Sequence, residues 1–302
     1  LKICIASGKG GTGKTTVATN LARIAPLQVT YVDCDVEEPN GHIFLAPDIR
    51  ERIAVTVPSP EVDDRLCDFC GKCGEVCRFN AIAVLPSRVM VFSELCHGCG
   101  GCSIACPTGA IHEEQREIGV VALGRSGSVE FIAGTLNVGE AMAPPLIRAV
   151  KKMIPEDGMT IIDASPGTSC SVITAVQDCD YCLLVTEPTP FGLNDLKLAV
   201  EMVRKISIPF GVVINRYGIG NGDMEEYCLS EGIRVLSRIP DDRRAAETYS
   251  RGDMMVDVLP HMRGKIIDLM QEIIGEHRAN KLQPEIEGFR NGDEQRRRSL
   301  LE

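Results

Sequence analysis

The stretch GKGGTGKTT, residues 8–16, follows directly on the apolar run Ile3 to Ala6. It satisfies G-x-x-x-x-G-K-[ST], a pattern that works only where a strand ends, a loop wraps and a helix begins. Gly8 and Gly13 let the chain close around phosphates. Successive N–H groups then point inward, and the helix starting near Lys14 adds its positive end. Lys14 is the expected partner of the β- and γ-phosphates of ATP, and Thr15 that of Mg²⁺. The whole stretch Gly8, Lys9, Gly10, Gly11, Thr12, Gly13, Lys14, Thr15 and Thr16 is the expected nucleotide contact. A glycine-rich turn of another α/β protein is the competing reading, and the flanking strand and helix count against it. Lys9 has no task in this single-chain picture.

The rest of the chain continues the alternation. Short apolar runs stand at Ile3 to Ala6, Val29 to Asp33, Met159 to Asp163, Tyr181 to Thr186, Phe210 to Asn215 and Arg234 to Ile239. Helical patterns stand at Lys14 to Ile24, Pro145 to Ile154, Leu193 to Ile206, Asp223 to Glu231 and Arg243 to Ser250. Continuous apolar strands separated by helices predict an α/β fold, a doubly wound and mostly parallel sheet covered on both faces. Residues 120–134 read instead as a hairpin on the edge of that sheet. His261 to His277 carries an apolar stripe at helical spacing and is expected to dock on the core. The polar, charged residues 280–302 are expected to form a disordered tail.

The cysteines interrupt this order. The chain of 302 residues has 14, and eight lie in two copies of one unit, CDFCGKCGEVCRFNAI from Cys67 and CHGCGGCSIACPTGAI from Cys96. Each reads C-x2-C-x2-C-x3-C and each runs into Ala-Ile at the same offset, an internal repeat. The sequence opens with no charged-then-apolar leader, so metal is expected rather than a disulfide framework. The run resembles that of bacterial ferredoxins, whose fourth cysteine ligates the other cluster. That resemblance implies one [4Fe–4S] cluster on Cys67, Cys70, Cys73 and Cys106, and a second on Cys96, Cys99, Cys102 and Cys77. The first copy departs from it at Arg78, where the second has Pro107. A zinc cross-brace is the alternative, since thiolates suit both. His97 reads as a spacer. The expected organisation is a discontinuous ATPase domain, 1–57 and 114–279, with a ferredoxin-like α+β insert over 58–113.

The phosphate loop with its second lysine resembles the deviant Walker A motif of the MinD/ParA/Mrp class of ATPases, which includes the nitrogenase iron protein. The resemblance implies that Lys9 crosses a dimer interface to the partner's nucleotide. It implies further roles at motifs in matching order. In YVDCDVEEPN, Asp35 would orient the attacking water and Asp33 would support the Mg²⁺ side. In IIDASPGTSC, Asp163 would hold Mg²⁺ through water and the Gly167 N–H would sense the γ-phosphate. Asn215 would contact adenine, and Pro240 and Asp241 would close the base pocket. Taken singly, such an Asp is more often a turn or cap residue; each follows a strand's C-terminal end, where ligands of open α/β sheets bind. Cys170 stands where the nitrogenase iron protein has a bridging-cluster ligand, but no second such cysteine accompanies it. Cys179 and Cys182 form a C-x2-C such as Mrp-type carriers use, there usually nearer the C-terminus, and the apolar context here favours buried structural thiols.

The formal net charge of −10 and pI near 5.1 speak against nucleic acid as a partner. No stretch reaches the roughly 18 apolar residues of a membrane span, so no stable membrane anchor is expected. The expected function is a cytoplasmic, Mg²⁺-dependent ATPase switch that couples nucleotide state to iron–sulfur electron transfer. It would act as a nucleotide-dependent homodimer, or a heterodimer with a paralogous ATPase, and serve a redox or iron–sulfur protein partner. An iron–sulfur cluster carrier is the first alternative. A spatial organiser with structural clusters is the second.

Overall fold

The computed structural model describes the backbone of residues 1–26 and 28–299, and the side chains of residues 1–26 and 28–279. In chain order the elements are β1 Lys2–Ala6, α1 Lys14–Ile24, β2 Val29–Cys34, α2 Gly41–Leu45, β3 Asp48–Val62, α3 Lys72–Val76, β4 Ile82–Leu85, β5 Arg88–Val91, α4 Gly101–Ala105, β6 Ile111–Ser126, β7 Val129–Leu136 and α5 Pro144–Lys152. They continue with β8 Met159–Ala164, α6 Cys170–Val176, β9 Tyr181–Thr186, α7 Pro190–Ile206, β10 Phe210–Tyr217, α8 Asp223–Ser230, β11 Val235–Pro240, α9 Arg243–Ser250, α10 Met255–Val258 and α11 Pro260–Ser299. The expected tail, 280–302, lies outside the residues whose side chains are described.

Nine strands form one sheet in the order β11-β10-β9-β1-β8-β2-β7-β6-β3. Its pairs from β11 to β7 are parallel. Every residue of β2, β8 and β9 is buried, which is why these segments read as unbroken apolar runs. One apolar core lies under α5, α6, α7 and α8, with Leu146, Val172, Leu196 and Cys228. The other lies under α1, α10 and α11, with Val17, Leu21, Val256, Met262 and Leu269. The sheet is therefore doubly wound. Its register sets Ile5 beside Asp163 and Asp163 beside Asp33, so the ends of three central strands are level with one another.

The far side of the sheet differs from expectation. The hairpin β6–β7 is present, but β6 begins at Ile111 and is 16 residues long. The edge strand is β3, which pairs with β6 without interruption from Asp48 opposite Arg125 to Val62 opposite Ile111, apart from two irregularities of register. The expected junctions at 57/58 and 113/114 fall inside this ladder. Pro58 and Pro60 made the segment look like a boundary. An edge strand accommodates them because one row of its N–H groups has no partner strand, and residues two apart share that row.

Beyond the ladder, β4 and β5 form a separate two-stranded sheet. The repeat is visible in three dimensions: α3 and α4 each follow a glycine of positive φ, Gly71 at 85° and Gly100 at 72°. Each holds the third cysteine of its unit, Cys73 or Cys102. These two cysteines join Ile82, Val89 and Ile111 in a small third core.

Leu146 shows how tightly α5 is seated. Its side chain is fully buried, and a Cβ on Gly134 would lie 2.6 Å from Val36 and 2.8 Å from Val150. Leu146→Ala should cost about 2–5 kcal/mol through a cavity. Gly134→Ala should cost roughly 1–3 kcal/mol through overpacking. Urea denaturation checks both as a lowered midpoint at unchanged slope.

Candidate functional site

The loop between β1 and α1 is held by close backbone approaches. A Cβ on Gly8 would lie 2.2 Å from the carbonyl oxygen of Asp195. Gly13 has φ +91°, and a Cβ there would lie 2.2 Å from Nδ2 of Asn215. Asn215 in turn donates from Nδ2 to the Thr12 carbonyl, 2.8 Å away. The loop is thus clamped from α7 on one side and from β10 on the other. A Cβ on Gly10 would meet nothing within 4 Å.

A cavity of about 420 Å³ opens over this loop. Its lining includes residues 9–17, Asp35, Pro166, Asn215, Pro240 and Asp241, which the sequence pattern singled out apart from Val17 and Pro166. It also includes Arg216, Glu38, Tyr249 and Met255, which the pattern did not. The size is that of a small-molecule cleft. Thr12 belongs to the lining, and its Oγ1 is buried without a hydrogen-bond partner among the described residues.

Beneath the loop lies a buried charge cluster. Lys14 Nζ donates to Asp163 Oδ1 at 2.7 Å and lies 3.8 Å from Asp35 Oδ2. The Tyr31 hydroxyl donates to Asp163 Oδ2 at 3.1 Å. Asp33 accepts the N–H groups of Asp35 at 3.1 Å and Gly41 at 2.9 Å. Burial works against the Lys14 charge, but Asp163, Asp35 and Asp33 outweigh it and leave its pKa raised. Burial, and then Asp163 alongside, pushes Asp33 up to about 8. Burial pushes Asp35 up to about 6, against the pull of Lys14. Acids so disfavoured as bare anions suit a site that receives a further cation. The Gly167 N–H donates to the Ser7 carbonyl at 2.8 Å.

Lys9 does not point into this cluster. Its Nζ lies 2.5 Å from Glu187 Oε1, and Arg216 Nη1 lies 3.3 Å from Glu187 Oε2. Glu187 carried no local signal in the sequence beyond its place just after a strand's end. Tyr31 carried none either, since a tyrosine inside an apolar run reads as core.

The eight repeated cysteines gather in two places. Cys67, Cys70, Cys73 and Cys106 line one small cavity, with Val62, Val84 and Ile111 among its walls. Cys77, Cys96, Cys99 and Cys102 line another, with Pro58, Phe79, His97 and Glu113. Each set thus takes three thiols from one unit and one from the other. Backbone N–H groups approach sulfur in matched pairs: Phe69 to Cys67 and Gly98 to Cys96, both 3.4 Å, and Ala81 to Cys77 and Ala110 to Cys106, both 3.3 Å. At Cys106 the Thr108 hydroxyl, together with the Ala110 N–H, holds the thiol below its ordinary pKa. Four thiols around a pocket suit a soft metal centre, iron–sulfur or zinc. His97 stacks on Phe79 at 3.5 Å between ring centroids, walling the second pocket.

The remaining cysteines stand apart from these sets. Cys170 is exposed at the start of α6; Cys4, Cys34, Cys179, Cys182 and Cys228 are buried. Cys179 donates to the Ala175 carbonyl at 3.4 Å. Among the described residues no helix is long and apolar enough to cross a membrane.

Comparison with known proteins places this geometry in context. The family model described as the CobQ/CobB/MinD/ParA nucleotide binding domain matches residues 3–256. An uncharacterized protein of Methanocaldococcus jannaschii is 34% identical, over 90% of this chain and 96% of its own. An iron-sulfur cluster carrier protein of Pyrococcus horikoshii is 26% identical, over 91% of this chain and 88% of its own. The septum site-determining protein MinD of Pyrococcus horikoshii, solved with Mg-ADP, shares the fold with a TM-score of 0.57 at 21% identity, covering 90% of this chain and 95% of that one.

The clamped loop makes a prediction about its glycines. Gly8→Ala should dislodge the loop from α7 and weaken nucleotide binding at least a hundredfold, about 2.7 kcal/mol or more. Gly10→Ala should leave the thermal midpoint of the fold within about a degree or two, since surface changes in open space cost little. Titration calorimetry for the first and thermal unfolding for the second check them.

Proposed function

Because this chain belongs to the CobQ/CobB/MinD/ParA nucleotide-binding family, we propose that it is a Mg²⁺-dependent ATPase whose nucleotide-driven dimerisation governs electron transfer through two [4Fe–4S] clusters. Lys14, Thr15 and the loop N–H groups hold the phosphates. Thr15, Asp33 and Asp163 are the residues that would hold Mg²⁺, which neutralises phosphate charge when bound. Asp35, which lines the cavity 3.8 Å from the Lys14 ammonium, would orient the attacking water. Asn215, Pro240 and Asp241 form the base end of the same cavity. Lys9 acts on the nucleotide of a second copy, adding a cation where phosphoryl transfer spreads negative charge.

The observation that carries the electron-transfer half is the pair of four-thiol pockets, each crossing between the repeat units. Cys67, Cys70, Cys73 and Cys106 would hold one cluster, and Cys96, Cys99, Cys102 and Cys77 the other. Such clusters exchange single electrons at low potential. Cys70 and Cys99 are the exposed members, one per pocket, and mark where a redox partner approaches. The ladder β3–β6 joins this region to the same sheet whose central strands carry the nucleotide.

A cluster carrier is the second reading, favoured by the naming of relatives as iron-sulfur cluster carrier proteins. The burial of Cys179 and Cys182 weighs against carriage on that pair, because a transferable cluster needs accessible thiols. Release of iron and sulfide to an apo-acceptor, with ATP present, distinguishes the two: a carrier gives up its clusters and an electron-transfer protein keeps them.

Anaerobically purified protein should contain about eight iron and eight sulfide per chain and give an EPR signal after dithionite reduction, as two four-iron clusters require. Stoichiometric zinc without labile sulfide would end this reading. Lys9→Ala should abolish ATP-dependent dimerisation and lower turnover by about a thousandfold or more, as removal of a transition-state cation does. Asp35→Ala should bind ATP and fail to hydrolyse it. Mixing the two inactive variants should restore activity, because one site in the mixed dimer then has its own Asp35 and an intact Lys9 from its partner.

A further inference from the structure

We infer that Glu187 is a cis holder for Lys9, and that Arg216 is the cation that lets it release. The inference rests on the proposed role of Lys9 in dimer closure and names the residue that regulates it. Within one chain the Lys9 ammonium is already engaged, 2.5 Å from Glu187 Oε1. A lysine so held is unavailable to a second nucleotide until that contact breaks.

The holder is rigid. Glu187 follows β9 directly, and its side chain is 10% exposed. Its carbonyl accepts the Thr189 N–H at 2.8 Å, and a Cβ on Gly192 would lie 2.2 Å from that same carbonyl oxygen. The first turn of α7 therefore packs directly against it. Thr189 caps that helix by accepting the Gly192 N–H at 3.0 Å. Gly8, next to Lys9, lies against the backbone of Asp195 in the same helix. Both halves of the ion pair are thus fixed by one element, and their meeting is set by packing rather than by a chance surface encounter.

Departure of Lys9 alone would strand a nearly buried carboxylate, which is costly. Arg216 removes that obstacle. Its guanidinium already sits 3.3 Å from the second carboxylate oxygen. Arg216 holds φ +52°, a conformation uncommon for a side chain of its size, at the end of β10 beside the nucleotide cavity. When Lys9 leaves, the planar guanidinium can satisfy both oxygens of Glu187. Lys9 is released because the carboxylate keeps a partner throughout.

Three variants read this at saturating ATP, with the monomer–dimer dissociation constant from analytical ultracentrifugation and each variant's ATP affinity measured separately. Glu187→Gln keeps shape and removes charge, so Lys9 is freed and dimerisation should tighten by roughly three- to tenfold. Arg216→Gln should weaken it by a similar factor. The double variant should behave as Glu187→Gln alone, since Arg216 then has no carboxylate to relieve. A residue that only supports the fold would not give opposite signs for the two partners. Amine labelling of Lys9 in the nucleotide-free chain, read by mass spectrometry, should rise in Glu187→Gln. Unchanged labelling, or weaker dimerisation of Glu187→Gln, overturns the holder while Lys9→Ala still fails to dimerise. If Lys9→Ala dimerises normally, the role of Lys9 and the holder fall together.

Discussion

A buried ammonium sets the terms for the rest of this molecule. Lys14 sits at the start of a helix, 6% exposed, with three aspartates around it. Removing that charge from water is tolerable only because Asp163 is in contact and Asp35 and Asp33 are near. Those acids arrive there through sheet register: β8 and β2 run parallel with Asp163 beside Asp33, next to the strand that feeds the loop. One residue of slip on either strand would turn an aspartate to the opposite face and leave the ammonium uncompensated. The fully buried strands specify that register through their apolar side chains. The hydrophobic pattern and the charge cluster therefore support the same alignment.

Much of this was legible before any coordinates. The strand–loop–helix context of residues 8–16 and the six apolar runs lead to a parallel doubly wound sheet, and the central strands lie where those runs stand. Residues 9–16, Asp35, Asn215, Pro240 and Asp241 all border one cavity, while Gly8, Asp33, Asp163 and Gly167 are not part of its lining. What remained hidden has physical reasons. Strand β3 was concealed by two prolines that only an edge position tolerates, and by alternating charges where an edge faces water. The hydroxyl of Tyr31 contributes to the site from within a stretch that reads as core. Glu187 meets Lys9 across 178 positions of sequence, a contact that only the fold creates.

The cysteine repeat illustrates how a local pattern becomes a paired environment without becoming a symmetric one. Helices α3 and α4 and the matched N–H···S contacts repeat, since the spacing between thiols repeats. The walls do not. The first pocket has Pro107, Val84 and Ile111, while the second has the Phe79–His97 stack, Pro58 and Glu113. A metal centre takes its electronic character from such surroundings as well as from its ligands. Two sites with the same donors are thereby given different polarity and access.

The prolines of β3 have one more consequence. A sheet that ends in a long strand is a template for another chain, since its outer row of N–H and C=O groups seeks partners. Here that row is interrupted at Pro58 and Pro60, and the first half of the strand carries the charged run Arg50, Glu51, Arg52. No incoming strand can complete a regular ladder on such a border. Adhesion through this margin is discouraged by the residues that hid the strand, so the long edge of the sheet does not serve as a template, and the opposite margin is the short strand β11, six residues ending in Pro240.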